Sequence, residues 1–137
     1  MSVLLVTDRP IDSGFLIAES ASLQDGALAT FTGLVRDHSA LGKVKALLYE
    51  AYAPMALKCF EQISQEVKEK WAVSSLSIVH RTGLLQTGET AVVVAAAAPH
   101  RREALEACAY AIERVKAIAP IWKKELIENG KFIWVEV

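Results

Sequence analysis

The stretch from residue 121 to residue 137, IWKKELIENGKFIWVEV, is the most informative part of the sequence for the architecture. Two segments rich in β-branched and aromatic residues, Ile121–Ile127 and residues 131–137, flank the dipeptide Asn129-Gly130. Asn-Gly is the strongest short signal for a two-residue hairpin turn, because both turn positions require a positive φ. We therefore predict that this part of the chain is an antiparallel β-hairpin.

Two long helices are predicted before this hairpin. The first spans residues 54–71 and has an apolar stripe at three- and four-residue steps, formed by Ala56, Phe60, Ile63, Val67 and Trp71. The second spans residues 100–118 and ends because of Pro120. Its predicted buried stripe consists of Leu105, Cys108, Ile112 and Val115.

Further strands are predicted where β-branched and aromatic residues lie between turn formers, at residues 3–7, 26–36, 44–52, 75–80 and 89–98. Residues 11–22 indicate a weak helix or an irregular segment, residues 37–43 a mobile loop, and the segment with Gly83 and Gly88 a series of turns. Strands and helices in mixed order, with an antiparallel ending, predict an α+β fold. We expect the helices to cover one face of the sheet.

The composition bounds the class of protein. Its 137 residues form one domain, and 53% hydrophobic with 23% charged residues excludes a disordered chain. The formal net charge of −1 disfavours nucleic-acid binding, so that any anion site is local. Two cysteines build neither a disulfide framework nor a zinc site, and the most apolar stretch, residues 91–99, is too short to cross a bilayer. With no signal peptide recognised at the start, these features predict a cytoplasmic protein.

The segment Pro99-His100-Arg101-Arg102 is a candidate anion site. It opens a helix, where free backbone N–H groups and the positive end of the dipole attract anions. The alternative is a solvated first turn, with Arg102 paired to Glu106 one turn on. Cations oppose the dipole at this end, which favours a functional reason for His100 and Arg101. The spacing alone leaves both interpretations open, and Arg102 is assigned to the surface.

A second candidate is the pair Lys116 and Lys123, on either side of Pro120. The turn at Pro120 can fold both amines toward one pocket. Apolar neighbours and a second cation would lower the pKa of a lysine and make it a usable acid–base group at neutral pH. The alternative is that both lysines point to water, since lysines at helix C-termini stabilise the dipole. His38 and His80 have no partner at ligand spacing, so no metal site is predicted.

The ordered motifs of the chain resemble the molybdopterin synthase catalytic subunit family. The resemblance rests on FTGLVRDH (residues 31–38), LLYEAYAPMA (47–56), HRTGLLQTGE (80–89), His100-Arg101, KAIAPIWKKE (116–125) and Trp134-Val135-Glu136. It implies a fold of the α/β-hammerhead type and a homodimer in which each subunit binds a small ubiquitin-like carrier, giving a heterotetramer. The carrier's Gly-Gly tail ends in a thiocarboxylate, which donates sulfur to cyclic pyranopterin monophosphate. The product is the dithiolene of molybdopterin, and neither a metal nor another cofactor is implied.

The resemblance also implies roles for single residues. Lys116 and Lys123 would be the catalytic lysines, and Arg36, His100 and Arg101 would bind the substrate. Phe31 and Ile112 would line the pocket for the carrier tail. Whether His100 and Arg101 act in their own subunit or across the dimer stays open.

Two other functions are compatible with the same residues. One is a non-catalytic relative that binds a ubiquitin-like carrier or a phosphorylated metabolite. The other is an acyltransferase that joins a carrier C-terminus to Lys116 as an amide. Retention of both lysines and of the His-Arg pair favours the sulfurtransferase.

Overall fold

The computed structural model describes residues 1–135, so Glu136 and Val137, which the predicted hairpin included, lie outside it. Within this range the chain forms nine strands and three helices in the order β1 (Leu4–Thr7), α1 (Ser13–Ser20), β2 (Ala27–Leu34), β3 (His38–Ser39), β4 (Gly42–Ala51), α2 (Ala53–Lys70), β5 (Ser75–Arg81), β6 (Gly83–Gln86), β7 (Thr90–Ala98), α3 (Arg101–Ile118), β8 (Ile121–Ile127) and β9 (Phe132–Val135). The predicted α+β class is confirmed.

One sheet has the strand order β1-β5-β7-β2, with β1 and β5 parallel and the other pairs antiparallel. Both of its faces are covered. Ile78 and Val94 belong to the main core under α2 and α3, whereas Val79 and Val93 on the opposite face pack against Leu16 of α1. The expectation that helices cover only one face is therefore wrong, because the weak helix predicted at residues 11–22 forms and occupies the other face.

The second sheet has β4 at its centre, which pairs with β3, β6 and β8, while β8 pairs with β9. The predicted hairpin is confirmed, but its loop has three residues, 128–130. Ile127 N–H donates to the carbonyl of Lys131 at 3.0 Å, and Gly130 N–H donates to the carbonyl of Ile127 at 2.9 Å. Gly130 has φ +85° and no described non-glycine residue has a positive φ, so Asn129 cannot occupy a two-residue turn of the predicted kind.

The two long helices bury the stripes expected of amphipathic helices, with one correction. In α2 the predicted Ala56, Phe60, Ile63 and Val67 are buried, and Trp71 is the C-cap. In α3 Leu105 is 61% exposed, and the buried positions are Ala104, Ala107, Cys108, Ala111, Ile112 and Val115. Leu105 was predicted from its size, but small alanines face β2 and β7 and let the helix approach the sheet closely.

Two segments predicted without regular structure are strands. Residues 37–43, predicted as a loop, contain β3, which pairs with the start of β4 through His38 with Lys43 and Ser39 with Gly42. We call residues 36–43 the hairpin arm. In the turn-rich segment β6 pairs with residues 46–49 of β4. No helix in residues 1–135 is long and apolar enough to span a membrane.

Candidate active site

A cavity of about 530 Å³ lies between the C-terminal part of α3 and the second sheet. Its walls come from β2, the hairpin arm, β4, β5, β7, α3 and β8. The volume falls in the range of small-molecule sites. Five of the seven residues predicted for the site line this cavity, namely Phe31, Arg36, Ile112, Lys116 and Lys123.

Lys116 reaches the cavity from the last turn of α3. Ile112 and Val115 line the same cavity, because residues three and four positions apart share one face of a helix. These two side chains are buried, whereas Lys116 is exposed. The lysine therefore lies where the apolar wall formed by α3 meets solvent.

Lys123 reaches the cavity from β8, where it pairs with Tyr49 of β4. Side chains alternate along a strand, so that Lys123 and Glu125 face the cavity and Lys124 faces away. Lys124 instead places its Nζ 4.3 Å from the centre of the Trp134 ring. Burial lowers the pKa of Lys123 below its usual value, and the charges of Lys116 and Arg36 lower it further against the opposing attraction of Glu125. The interpretation of Lys123 as a solvated lysine is thus disfavoured.

Phe31 and Arg36 approach from β2 and the hairpin arm. Between them Gly33 also lines the cavity, and a Cβ atom at this position would lie 2.6 Å from Cγ1 of Val92. Val92 is β-branched and 7% exposed, so it has little freedom to move away. A side chain at position 33 would therefore require Val92 to shift, and glycine allows β2 and Val92 of β7 to pack this closely.

Five polar residues of the cavity were not predicted as site residues from the sequence, namely Thr32, His38, Tyr49, His80 and Glu125, and the last three are buried. His80 is 3% exposed and its ring meets Tyr49 edge to face at 5.0 Å. Burial lowers the pKa of His80, the hydrogen bond to the carbonyl of Arg81 opposes this, and the charge of Lys116 lowers it further. Burial also raises the pKa of Tyr49. The alternation Leu76, Ile78, His80 was the available signal, since it places His80 on the core face of β5.

His100 and Arg101 do not line this cavity. They are exposed at the opposite end of α3, where His100 is the N-cap and makes no side-chain capping bond. Arg101 and Lys116 are both in α3, about 22 Å apart along its axis at 1.5 Å per residue. The surface pair predicted for Arg102 is confirmed, with 3.0 Å between its Nε and Glu106 Oε1. Within one chain, the predicted substrate-binding residues His100 and Arg101 are thus far from the cavity that holds the two lysines.

The cavity carries a surplus of positively charged side chains. Lys116, Lys123 and Arg36 bring three cationic side chains together, while Glu125 is its one carboxylate among the described residues. Charge interactions strengthen as water is excluded, and the buried neighbours Ile112 and Val115 exclude it. The arrangement suits a carboxylate-like or phosphate-bearing ligand and proton transfer by a lysine.

Comparison with known proteins identifies the family. A model of the family described as MoaE protein matches residues 6–118. The chain belongs to the MoaE family. The matched segment includes Phe31, Arg36, His100, Arg101, Ile112 and Lys116 and ends before Lys123. The resemblance inferred from the motifs is confirmed.

Individual relatives extend over most of the chain. A molybdopterin synthase catalytic subunit of Bacillus subtilis (strain 168) is 46% identical over 126 residues, which cover 92% of this chain and 80% of that protein. The X-ray structure of molybdopterin synthase from Staphylococcus aureus matches with a TM-score of 0.90 at 43% identity, covering 95% and 94% of the two chains. A complex of subunits 1 and 2 of molybdopterin-converting factor from Helicobacter pylori 26695 matches with a TM-score of 0.78 at 26% identity, covering 98% and 91%.

Proposed function

We propose that this MoaE family member is the catalytic subunit of a molybdopterin synthase. It transfers sulfur from the C-terminal thiocarboxylate of a small ubiquitin-like carrier to cyclic pyranopterin monophosphate and forms the dithiolene of molybdopterin. The observation that carries the proposal is the presence of Lys116 and Lys123 in one cavity, delivered by a helix end and the following strand. Family membership supplies the reaction class.

The side chains that line the cavity have different roles in this reaction. The extended carrier tail lies against Phe31 and Ile112, which are the apolar parts of the wall. The thiocarboxylate is then held by Lys116 and Lys123, whose attraction is strengthened by the partly dry surroundings. Lys116 donates a proton or stabilises the charge that develops at the carrier's acyl carbon. Lys123, with its lowered pKa, holds the sulfur or substrate charge.

The substrate phosphate would be bound by His100 and Arg101. Within one chain these two residues lie far from Lys116 and Lys123. Because Arg101 lies about 22 Å from Lys116 along α3, we propose that His100 and Arg101 serve the cavity of a second copy in a homodimer. Arg36 provides the anion contact within each cavity. A heterotetramer follows when each copy binds one carrier, and the Helicobacter pylori complex of two subunits supports such a partner.

A reconstitution tests the function directly. The protein is mixed with a thiocarboxylated carrier and cyclic pyranopterin monophosphate, and the pterin is followed by mass spectrometry. We expect two sulfur atoms to be gained by the wild type and none by Lys116→Ala, with carrier binding retained in both. Tight carrier binding without sulfur gain by the wild type would instead support a non-catalytic binding protein. A stable amide between the carrier and Lys116 would support an acyltransferase.

We also assign this reaction to the cytoplasm. Cys59 and Cys108 are both free thiols, and burial raises the pKa of Cys108 to about 11. Such thiols fit a reducing compartment, where disulfides are rare. Localisation of a tagged copy in the source cell tests the assignment, and recovery in a secreted fraction would contradict it.

A further inference from the structure

The imidazole of His80 is held in one orientation in the floor of the cavity. Its ring is 3% exposed, packs edge to face on Tyr49 at 5.0 Å between ring centres, and lines the same space as both lysines. Its Nδ1 lies 2.9 Å from the carbonyl oxygen of Arg81. Since a carbonyl only accepts hydrogen bonds, Nδ1 carries the hydrogen, and the neutral ring presents an unshared electron pair at Nε2.

Nε2 is the nitrogen that a molecule in the cavity would meet. No donor within residues 1–135 is hydrogen-bonded to it. Within residues 1–135 the fully buried side-chain atoms without a hydrogen-bond partner are Arg81 Nε and Glu103 Oε2. Nε2 of His80 is not one of them, so it is accessible rather than enclosed by the protein. A free acceptor in contact with the cavity and fixed by its second nitrogen is the arrangement that a general base requires.

The charges around His80 favour the neutral ring. Burial is the largest cause of its lowered pKa, and the nearby ammonium group of Lys116 acts in the same direction. The remaining ionisable groups that line the cavity are Arg36, His38, Tyr49, Lys123 and Glu125, while Arg81 on the same strand pairs with Glu89 at 3.4 Å. At neutral pH the imidazole is therefore able to accept a proton.

Sulfur transfer of the proposed kind needs such an acceptor. Once the carrier's sulfur has bonded to the pterin, the two molecules are joined by a thioester. Release requires water, because the carrier's acyl carbon loses sulfur and must gain oxygen. Lys116 and Lys123 are suited to stabilising anions, but as ammonium groups they cannot accept the proton of that water. Another group therefore has to accept it. Among the described residues that line the cavity, the buried candidates are the imidazole of His80 and the carboxylate of Glu125, which already accepts a hydrogen bond from Ser39 Oγ.

We propose that Nε2 of His80 is the general base for this release step, an inference that rests on the proposed function. The water oxygen bonds to the acyl carbon while its proton passes to Nε2. The carbon–sulfur bond of the acyl group then breaks, and its electron pair stays on the sulfur of the pterin, beside the lysines. His80 finally returns the proton to the thiolate or to solvent. The second proton of the water stays on the new carboxyl group and is then lost to solvent, so that the carrier leaves as a carboxylate and the ring is regenerated.

The test uses single turnovers of the full protein with thiocarboxylated carrier and cyclic pterin. In His80→Asn the amide N–H can replace Nδ1–H as donor to Arg81, but the base is lost. We expect a covalent carrier–pterin species to accumulate, with release slowed about 100-fold or more. Hydroxylamine should discharge this species, because it attacks thioesters without enzymatic help. The wild type should not accumulate it, and its release phase should be slower in D₂O.

The outcomes separate this role from the function itself. If the wild type forms no dithiolene, the proposed function fails. If the wild type forms dithiolene and His80→Asn releases the carrier equally fast, or if the wild-type release phase shows no isotope effect, the role of His80 is wrong. His80→Gln, which also lacks a base, replaces His80→Asn if the latter melts below the assay temperature. Loss of activity in a folded variant without the covalent species would likewise overturn the proposal.

Discussion

Ser39 Oγ donates a hydrogen bond of 2.6 Å to Oε1 of Glu125, two residues that are 86 positions apart in the sequence. The bond attaches the hairpin arm to β8 beside the cavity, and Glu125 is only 6% exposed. It therefore fixes the wall that carries Arg36 relative to the strand that carries Lys123.

Replacing Ser39 by Ala should loosen this wall. The buried carboxyl group of Glu125 loses its donor, which costs about 1–3 kcal/mol of stability. We expect faster hydrogen exchange at residues 37–43 and a raised KM for the pterin, with a smaller effect on kcat. Lys45→Ala, an exposed change just beyond the arm, serves as the control. Unchanged exchange in the arm would show that the bond does not hold it.

Lys123 and its neighbour Lys124 allow a matched test of the catalytic assignment. Lys123→Ala should lower the rate by about 100-fold or more, whereas Lys124→Ala, whose side chain lies on the opposite face of β8 at Trp134, should retain activity. Reconstitution assays at saturating carrier measure both. Equal losses in the two variants would argue for a general effect on β8 rather than for chemistry at Lys123.

The lowered pKa of Lys123 also predicts a conflict between activity and stability. Below that pKa the fold holds a partly desolvated charge, which the unfolded chain exposes freely to water. Stability should therefore rise as pH passes from the folded pKa of Lys123 toward its usual value of 10.5. We expect Lys123→Met to melt higher than the wild type at pH 7 and to lose this advantage once Lys123 is neutral. A lower melting temperature of Lys123→Met at pH 7 would contradict the burial argument.

Gly33 and Val92 form a second testable pair. Gly33→Ala places a methyl group against Cγ1 of Val92, and such overpacking costs about 1–3 kcal/mol. Val92→Ala removes that contact, so the double variant should lose less stability than the sum of the single variants. Denaturant unfolding of all four proteins gives the coupling. If the losses in unfolding free energy simply add, the new methyl group at position 33 does not press against Val92.

The sharing of His100 and Arg101 between copies can be tested by mixing two inactive variants. In a heterodimer of Lys116→Ala and Arg101→Ala chains, one cavity keeps Lys116 and receives an intact Arg101 from the other copy. An equal mixture after subunit exchange should recover about a quarter of wild-type activity, because half of the dimers are mixed and each has one complete site. No recovery despite proven exchange would indicate that Arg101 acts within its own chain.

Glu66 gives a prediction on acid stability away from the cavity. Its carboxylate binds Arg114 at 2.9 and 3.0 Å and accepts a 2.7 Å bond from Tyr110, which joins α2 to α3. These bonds, with that from Gln62, lower the pKa of Glu66 from 4.5 to about 2. A depressed carboxyl pKa contributes stability above the unfolded value, which is lost as pH falls toward about 2. The melting temperatures of the wild type and Glu66→Gln should therefore differ most above pH 5 and converge in strong acid.

Local signals in the sequence were sufficient for the hairpin and for most of the two long helices. They failed where tertiary contacts decide. β6 and β3 exist because β4 offers backbone partners, which no local pattern reveals. Leu105 was expected in the core because of its size, yet the helix faces the sheet with Ala104, Ala107 and Ala111.

The same division holds for the cavity. The lysines were candidates because Pro120 lies between them and controls the local turn, and the resemblance to the family decided in favour of the site. Tyr49, His80 and Glu125 join them only through the pairing of β4 with β8 and the packing of β5, which bring together residues far apart in the chain. The site roles of Lys116, Lys123, Arg36, His100, Arg101, Phe31 and Ile112 remain predictions, and the experiments above address those of Lys116, Lys123 and Arg101.

The alanine surface of α3 makes the cavity mechanically asymmetric. Interiors packed at this density resist sliding, because any tilt of the helix would open voids against β2 and β7. We therefore expect Lys116 to adapt to a ligand by rotating its own side chain while the backbone of α3 stays in place. The opposing side is held by the hydrogen bond from Ser39 to Glu125 and by its pairing with the start of β4, so it has fewer attachments than α3. We expect ligands of different shape to be accommodated by movement of the hairpin arm, residues 36–43.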